Sequence, residues 1–164
     1  MNGTTIIIGV GNPVLTDDSV GLKIAGELRA QLKGQSLVTT AEVHSGGMKL
    51  METMVGYDRA IVIDAVVSGG RPGTIFTLGA ADLPKTRNAH STHDASLPVA
   101  LELGRLAGLH VPGEIRIWAV EAGDVVTLSE GLTPAVQRAV PRVVKRVMQD
   151  LCEHGLGCSR RRNQ

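Results

Sequence analysis

Asp17, Asp18, Asp64 and His93 are the residues whose types and positions could support chemistry. Asp64 interrupts an apolar run, Ala60-Ile61-Val62-Ile63-Asp64-Ala65-Val66-Val67. A carboxylate inside such a strand costs several kcal/mol if it is buried and unpaired. It is therefore expected at the strand's carboxyl end, facing a cleft and a cation. The alternative is a structural carboxylate that accepts backbone hydrogen bonds from a neighbouring loop. Asp17 and Asp18 stand just before Ser19, at the start of a helical pattern where negative charge meets the positive end of the helix dipole. One of the two is expected to cap that helix. The other is free to face the cleft, because adjacent side chains point in different directions. His93 follows a long aperiodic stretch and opens another helix. One imidazole and two carboxylates from separate strand-end loops form a mixed nitrogen and oxygen set suited to a borderline divalent metal. Three ligands with open positions describe a ligand-exchanging site rather than a closed structural one. His44, His90 and Asp94 compete with His93 as donors, and their spacing does not choose among them.

Other chemistries find less support. Gly9-Val10-Gly11-Asn12 begins like a dinucleotide fingerprint, but Val14 stands where the third glycine belongs. The two carboxylates that follow would repel a pyrophosphate. Ser45 and Ser91 lack the G-x-S-x-G elbow of a serine nucleophile, and Cys152 and Cys158 lie far from any strand end.

The elements that must position these residues alternate between strand and helix. Thr4 to Val10 is a β-branched apolar run of the kind found in a central strand covered on both faces. Val20, Ile24 and Leu28 then recur at the spacing of one helix face. Leu37 to Val43 reads as a second strand, ended by His44-Ser45-Gly46-Gly47, and Met48 to Val55 as a short helix. After the apolar run around Asp64 comes the turn Gly69 to Gly73. Thr74 to Leu78 alternates enough to predict a more exposed, antiparallel strand. Residues 80 to 94 form the longest aperiodic stretch, a length usually reserved for functional loops. A helix carrying Leu97, Ala100 and Leu101 follows, then a strand from Gly113 to Val120. Thr133-Pro134 opens a last helix with a buried stripe from Val136 to Leu151, which Pro141 is expected to bend. This order predicts a mostly parallel sheet with helices on both faces. Ligands in such sheets bind beyond the carboxyl ends of the strands, where Asp17, Asp18, Asp64 and His93 all fall.

Composition narrows the class further. The 164 residues suit one domain, expected over residues 1–153 with a flexible basic tail at 154–164. Hydrophobic residues make up 43% and charged residues 20%, which excludes a disordered chain. One Trp, one Tyr and one Phe cannot build a stacking platform for single-stranded nucleic acid. A net charge of +1 supplies no field to draw the chain to DNA or an acidic membrane. The apolar runs are too short to span a bilayer, and no secretory leader precedes the first strand. Two cysteines are too few for a disulfide scaffold and, with the missing leader, fit a cytoplasmic chain.

The segment Gly9-Val10-Gly11-Asn12-Pro13-Val14-Leu15-Thr16-Asp17-Asp18-Ser19-Val20-Gly21 closely resembles the N-terminal signature of the hydrogenase maturation endopeptidases. Val62-Ile63-Asp64-Ala65, Ser91-Thr92-His93-Asp94 and Gly131-Leu132-Thr133-Pro134 match in the same order, so the resemblance covers nearly the whole chain. It implies an α/β fold, a three-layer α/β/α sandwich around a five-stranded, mainly parallel, twisted sheet. It also implies an endopeptidase that removes a C-terminal extension from the nickel-loaded precursor of a nickel–iron hydrogenase large subunit. Asp18, Asp64 and His93 then become the positions that contact nickel supplied by the substrate, with Asp17 as a helix cap or acid/base partner. Two departures matter: Asp18 stands where many members carry Glu, and His44-Ser45-Gly46-Gly47-Met48 replaces an Asp-Gly-Gly-Thr form. Two other classes would use the same residues, a nickel-sensing partner that binds the precursor without cutting it and a zinc-dependent amide hydrolase.

Overall fold

The computed structural model describes residues 3–85 and 96–157. Strand β1 (Thr5–Val10), helix α1 (Val20–Gln31), strand β2 (Val38–Val43), helix α2 (Gly47–Met54) and strand β3 (Arg59–Val66) come first. Strand β4 (Ile75–Gly79), helix α3 (Leu97–Leu106), strand β5 (Glu114–Glu121) and helix α4 (Pro134–Glu153) complete the order. The five strands form one sheet in the order β2-β1-β3-β5-β4. β1 pairs in parallel with β2 and β3, and β3 with β5, whereas β4 runs antiparallel along the edge of β5. The expected α/β/α sandwich is the fold observed.

The apolar runs explain the layering. Side chains alternate across a strand, so a continuous run fills both faces. Ile7 of β1 with Ile61 and Ile63 of β3 joins Val20, Ile24 and Leu28 of α1 and the α4 stripe of Val136, Val140, Val143, Val147 and Leu151. Ile6, Ile8, Ala60 and Val62 face the opposite way, against Leu50, Met51 and Met54 of α2 and Leu97, Ala100 and Leu101 of α3. Each fully buried isoleucine or leucine contributes about 2 kcal/mol relative to exposure. The outer strands are more polar: β2 exposes part of Val38–Val43, and only Val38 and Val43 at its ends are buried. β4, the strand expected to be exposed and antiparallel, has no fully buried residue.

At the end of the sheet where the parallel strands start, a charged cluster ties α4 to β3 and β5. Arg59 and Asp150, both buried, pair at 2.6 Å, and Arg59 also reaches Glu114 at 3.0 Å. Arg116 meets the second oxygen of Asp150 at 3.1 Å. Cys152, near the end of α4, is disulfide-bonded, and Cys158 lies outside the described residues. Among the described residues no helix is long and apolar enough to cross a membrane.

The chain leaves β1 through α1 on one face and leaves β2 through α2 on the other. The seam between β1 and β3 is thus the point where the strand order reverses, and sheets of this kind bind ligands beyond the carboxyl ends at such a point. Gly21 lets α1 begin directly on that seam. A Cβ there would stand 2.2 Å from the carbonyl oxygen of Ile63 and 2.5 Å from that of Val10. Both obstacles are backbone and cannot turn aside. Gly21→Ala is therefore expected to lower the unfolding free energy by about 3 kcal/mol in urea titration. Gly26→Ala, on the same helix with nothing within 4 Å of the added carbon, should raise it by up to about 1 kcal/mol.

Candidate active site

The loop from Gly11 to Ser19 turns back over the end of β1. The Asn12 side chain accepts the Val14 N–H at 3.1 Å, and the Asp18 N–H reaches the Leu15 carbonyl at 2.8 Å. Gly11 is required at the closure, because a Cβ there would lie 1.9 Å from the Asp18 carbonyl oxygen. Thr16 adopts φ +27°, a left-handed conformation that strains a β-branched residue. It is held there by its N–H on the Ser129 carbonyl at 3.0 Å and its hydroxyl on the Thr127 carbonyl.

Asp17 and Asp18, alike in sequence, part company here. The Asp17 carboxylate is fully enclosed and accepts from the backbone N–H groups of Gly123, Asp124 and Thr133 at 2.8, 3.0 and 2.8 Å. The Thr133 hydroxyl donates to it as well. With its lone pairs taken and no path to solvent, it pins the segment between β5 and α4 to the loop after β1. This departs from the expected roles. Neither Asp17 nor Asp18 caps α1, whose N-cap Ser19 makes no capping side-chain bond and instead donates to the Thr16 carbonyl at 2.7 Å. Thr133 stands at the N-cap position of α4 ahead of Pro134, but its hydroxyl is spent on Asp17 rather than on the helix.

Asp18 is half-buried and receives the Asn12 N–H at 3.0 Å. Burial raises its pKa above the usual carboxylate range, and the Asn12 bond opposes that rise. Asp64 lies two residues before the end of β3, opposite Ala119 of β5. It is half-buried, and its side chain accepts the Ala65 N–H at 2.8 Å. Strand alternation places it on the same face as Ala60 and Val62, the face covered by α2 and α3. Asp18 and Asp64 thus stand at the carboxyl ends of β1 and β3, on either side of the seam that Gly21 crosses. His44 follows β2, beside Gly11 in the strand register, and is exposed. His93, with His90 and Asp94, lies outside the described residues, and among the described residues no group of three metal-ligating side chains occurs.

The sequence reading missed a second buried carboxylate. Glu121 ends β5, is 1% exposed, and accepts from the Ser68 N–H at 2.9 Å, the Ser68 hydroxyl at 2.6 Å and the Gly70 N–H at 3.2 Å. It secures the turn after β3 much as Asp17 secures the segment after β5. The signal available was a carboxylate ending an apolar strand, the same feature that marked Asp64.

The model of the family described as hydrogenase maturation protease matches residues 22–150. The chain belongs to the hydrogenase maturation protease family. It is a peptidase of that family, whose members process hydrogenase precursors. The hydrogenase 2 maturation protease of Escherichia coli (strain K12) is 29% identical over 153 residues, covering 92% of each chain. The structure of the hydrogenase maturating endopeptidase HybD from E. coli superposes with a TM-score of 0.81 at 28% identity, over 93% of this chain and 94% of that one. A hydrogenase maturation protease from Thermococcus kodakarensis, 23% identical, shares the fold with a TM-score of 0.67 over 89% of this chain and 90% of its own.

The two neighbouring carboxylates should respond oppositely to amidation. Asp17→Asn sets an NH2 group against N–H donors, and unfolding free energy should fall by about 3 kcal/mol in urea. Amide exchange of residues 123–133 should accelerate with it. Asp18 has a folded pKa above the unfolded value, so the folded chain binds that proton more tightly. Its charge therefore opposes folding at pH 7, and the opposition disappears as pH falls below the ordinary carboxylate range. Asp18→Asn, which keeps an acceptor for Asn12, should unfold at an equal or higher temperature than the parent at pH 7. That difference should vanish near pH 3.

Proposed function

We propose that the chain cuts a C-terminal extension from the precursor of a nickel–iron hydrogenase large subunit, and that it acts after nickel has been inserted. In this reading the metal arrives with the substrate, held by precursor cysteines, and Asp18, Asp64 and His93 contact it. Contact with the metal makes cleavage conditional on loading. What supports the reading is that Asp18 follows β1 and Asp64 lies near the end of β3, the two strands between which the strand order reverses, in a chain whose family is one of peptidases. Two carboxylates and an imidazole suit a borderline divalent ion.

Each residue has a separate task. Asp64 sits on a central strand whose backbone is flanked by β1 and β5, which fixes the position of its Cα near the strand end. Asp18 is carried by a loop closed through Gly11, Asn12 and Asp17. A carboxylate of the site assists proton transfer during peptide hydrolysis. A divalent ion in the substrate polarises the scissile carbonyl or lowers the pKa of a water. Asp17 acts by positioning, because its oxygens are committed to the 123–133 segment.

Purified chain incubated with nickel-loaded precursor should shorten it, as read by intact mass, and leave nickel-free precursor whole. Equal cleavage of both forms would reject metal recognition. Asp64→Ala and His93→Ala should each slow processing by about a hundredfold or more, with circular-dichroism melts close to the parent. Melts that collapse in both variants would assign these residues to the fold instead.

A further inference from the structure

The segment between β5 and α4 carries two of the most exposed large apolar side chains of the described residues. Val126 is 82% exposed and Leu128 76%. Val14, on the loop that carries Asp18, is 46% exposed. The Ser129 N–H donates to the Val14 carbonyl at 3.0 Å within a short parallel bridge between Leu15 and Ser129. Leu128 and Val14 therefore occupy neighbouring positions of one two-stranded strip. Exposed apolar side chains on a slack loop fold back onto the domain, and these cannot. Asp17 fixes residues 123, 124 and 133, and Asp124 closes a turn by accepting from the N–H groups of Val126 and Thr127, both at 2.9 Å. The Thr16 hydroxyl holds the Thr127 carbonyl. Val125 and Leu132 of the same segment do pack against the core, so the segment has an inner and an outer face.

We infer that Val14, Val126 and Leu128 form a preorganised docking ridge for an apolar stretch of the precursor polypeptide beside the bond that is cut. The inference rests on the reading of Asp18 and Asp64 as the reacting rim. The strip is continuous with that rim, since Val14 precedes Asp18 by four residues in one closed loop. Rigid apolar side chains held in solvent are a recognised mark of a binding surface. Their immobility spares the ordering that a flexible loop would need on binding.

The test is steady-state processing of nickel-loaded precursor by the V126S/L128S double variant. KM should rise about tenfold, the effect of losing about 1.4 kcal/mol at the centre of an interface, while kcat and the melting temperature stay at parental values. V126I/L128M should restore KM. L106S, equally exposed at 76% but at the far end of α3, should leave KM unchanged. The inference is overturned by an unaltered KM in the double variant, by a loss that follows a lowered melting temperature, or by an equal rise in L106S. A concentration-dependent dimer of the parent chain that the double variant abolishes without a change in KM assigns the ridge to self-association, and overturns it too. If the parent chain leaves loaded precursor whole, the proposed function falls and takes the ridge with it. If the parent cuts and the double variant matches it, the ridge alone falls.

Discussion

Asp17 exchanges its hydration for four protein donors, and the rim of the sheet depends on that exchange. A carboxylate removed from water needs nearly every lone pair satisfied. The donors come from Gly123, Asp124 and Thr133, more than a hundred positions away in the chain. Meeting that demand fixes where the segment after β5 runs and where α4 starts. It also fixes the loop that carries Asp18. Glu121 repeats the arrangement for the turn after β3. The rim loops are thereby held by charge-assisted bonds, which are stronger than neutral ones, while the apolar layers stabilise the sheet beneath.

Asp18 lies one residue away and has the opposite fate. It is half-buried and takes one backbone bond, and burial raises its proton affinity. The division resembles a common solution in active sites, in which one carboxylate is invested in geometry and its neighbour is left with free valence at some expense of stability. Strain at Thr16 belongs to the same arrangement. Its left-handed backbone is tolerated because bonds to Ser129 and Thr127 over-determine it.

The sheet supplies the direction of approach. The carboxyl ends of the parallel strands lie together, and the strand order reverses between β1, which Asp18 follows, and β3, near whose end Asp64 lies. Gly11 lets the loop close on the Asp18 carbonyl, and Gly21 lets α1 press onto the carbonyls of Val10 and Ile63, where a side chain would push them away. The ion pairs of Arg59, Arg116 and Asp150 sit at the other end of the sheet and act on architecture.

The alternation of strands and helices, the two-sided burial of β1 and β3, the exposed antiparallel character of β4 and the positions of Asp18 and Asp64 towards strand ends were all legible in the order of residues. Those features follow from local periodicity and from the expense of burying a charge, both of which are written in consecutive residues. Adjacent carboxylates carry no such mark. Asp17 and Asp18 have the same chemistry and the same neighbours in the chain, and the expectation that one caps α1 was reasonable from those neighbours alone. What separated them was which one met Gly123, Asp124 and Thr133, a meeting that the folded chain alone brings about. Glu121 carried a local mark as a carboxylate ending an apolar strand, but its partners did not: Ser68 and Gly70 lie 53 and 51 residues back in the chain and are brought to it by the pairing of β3 with β5. A hydrogen bond is satisfied by proximity in space, whereas a periodic pattern reports only proximity along the chain.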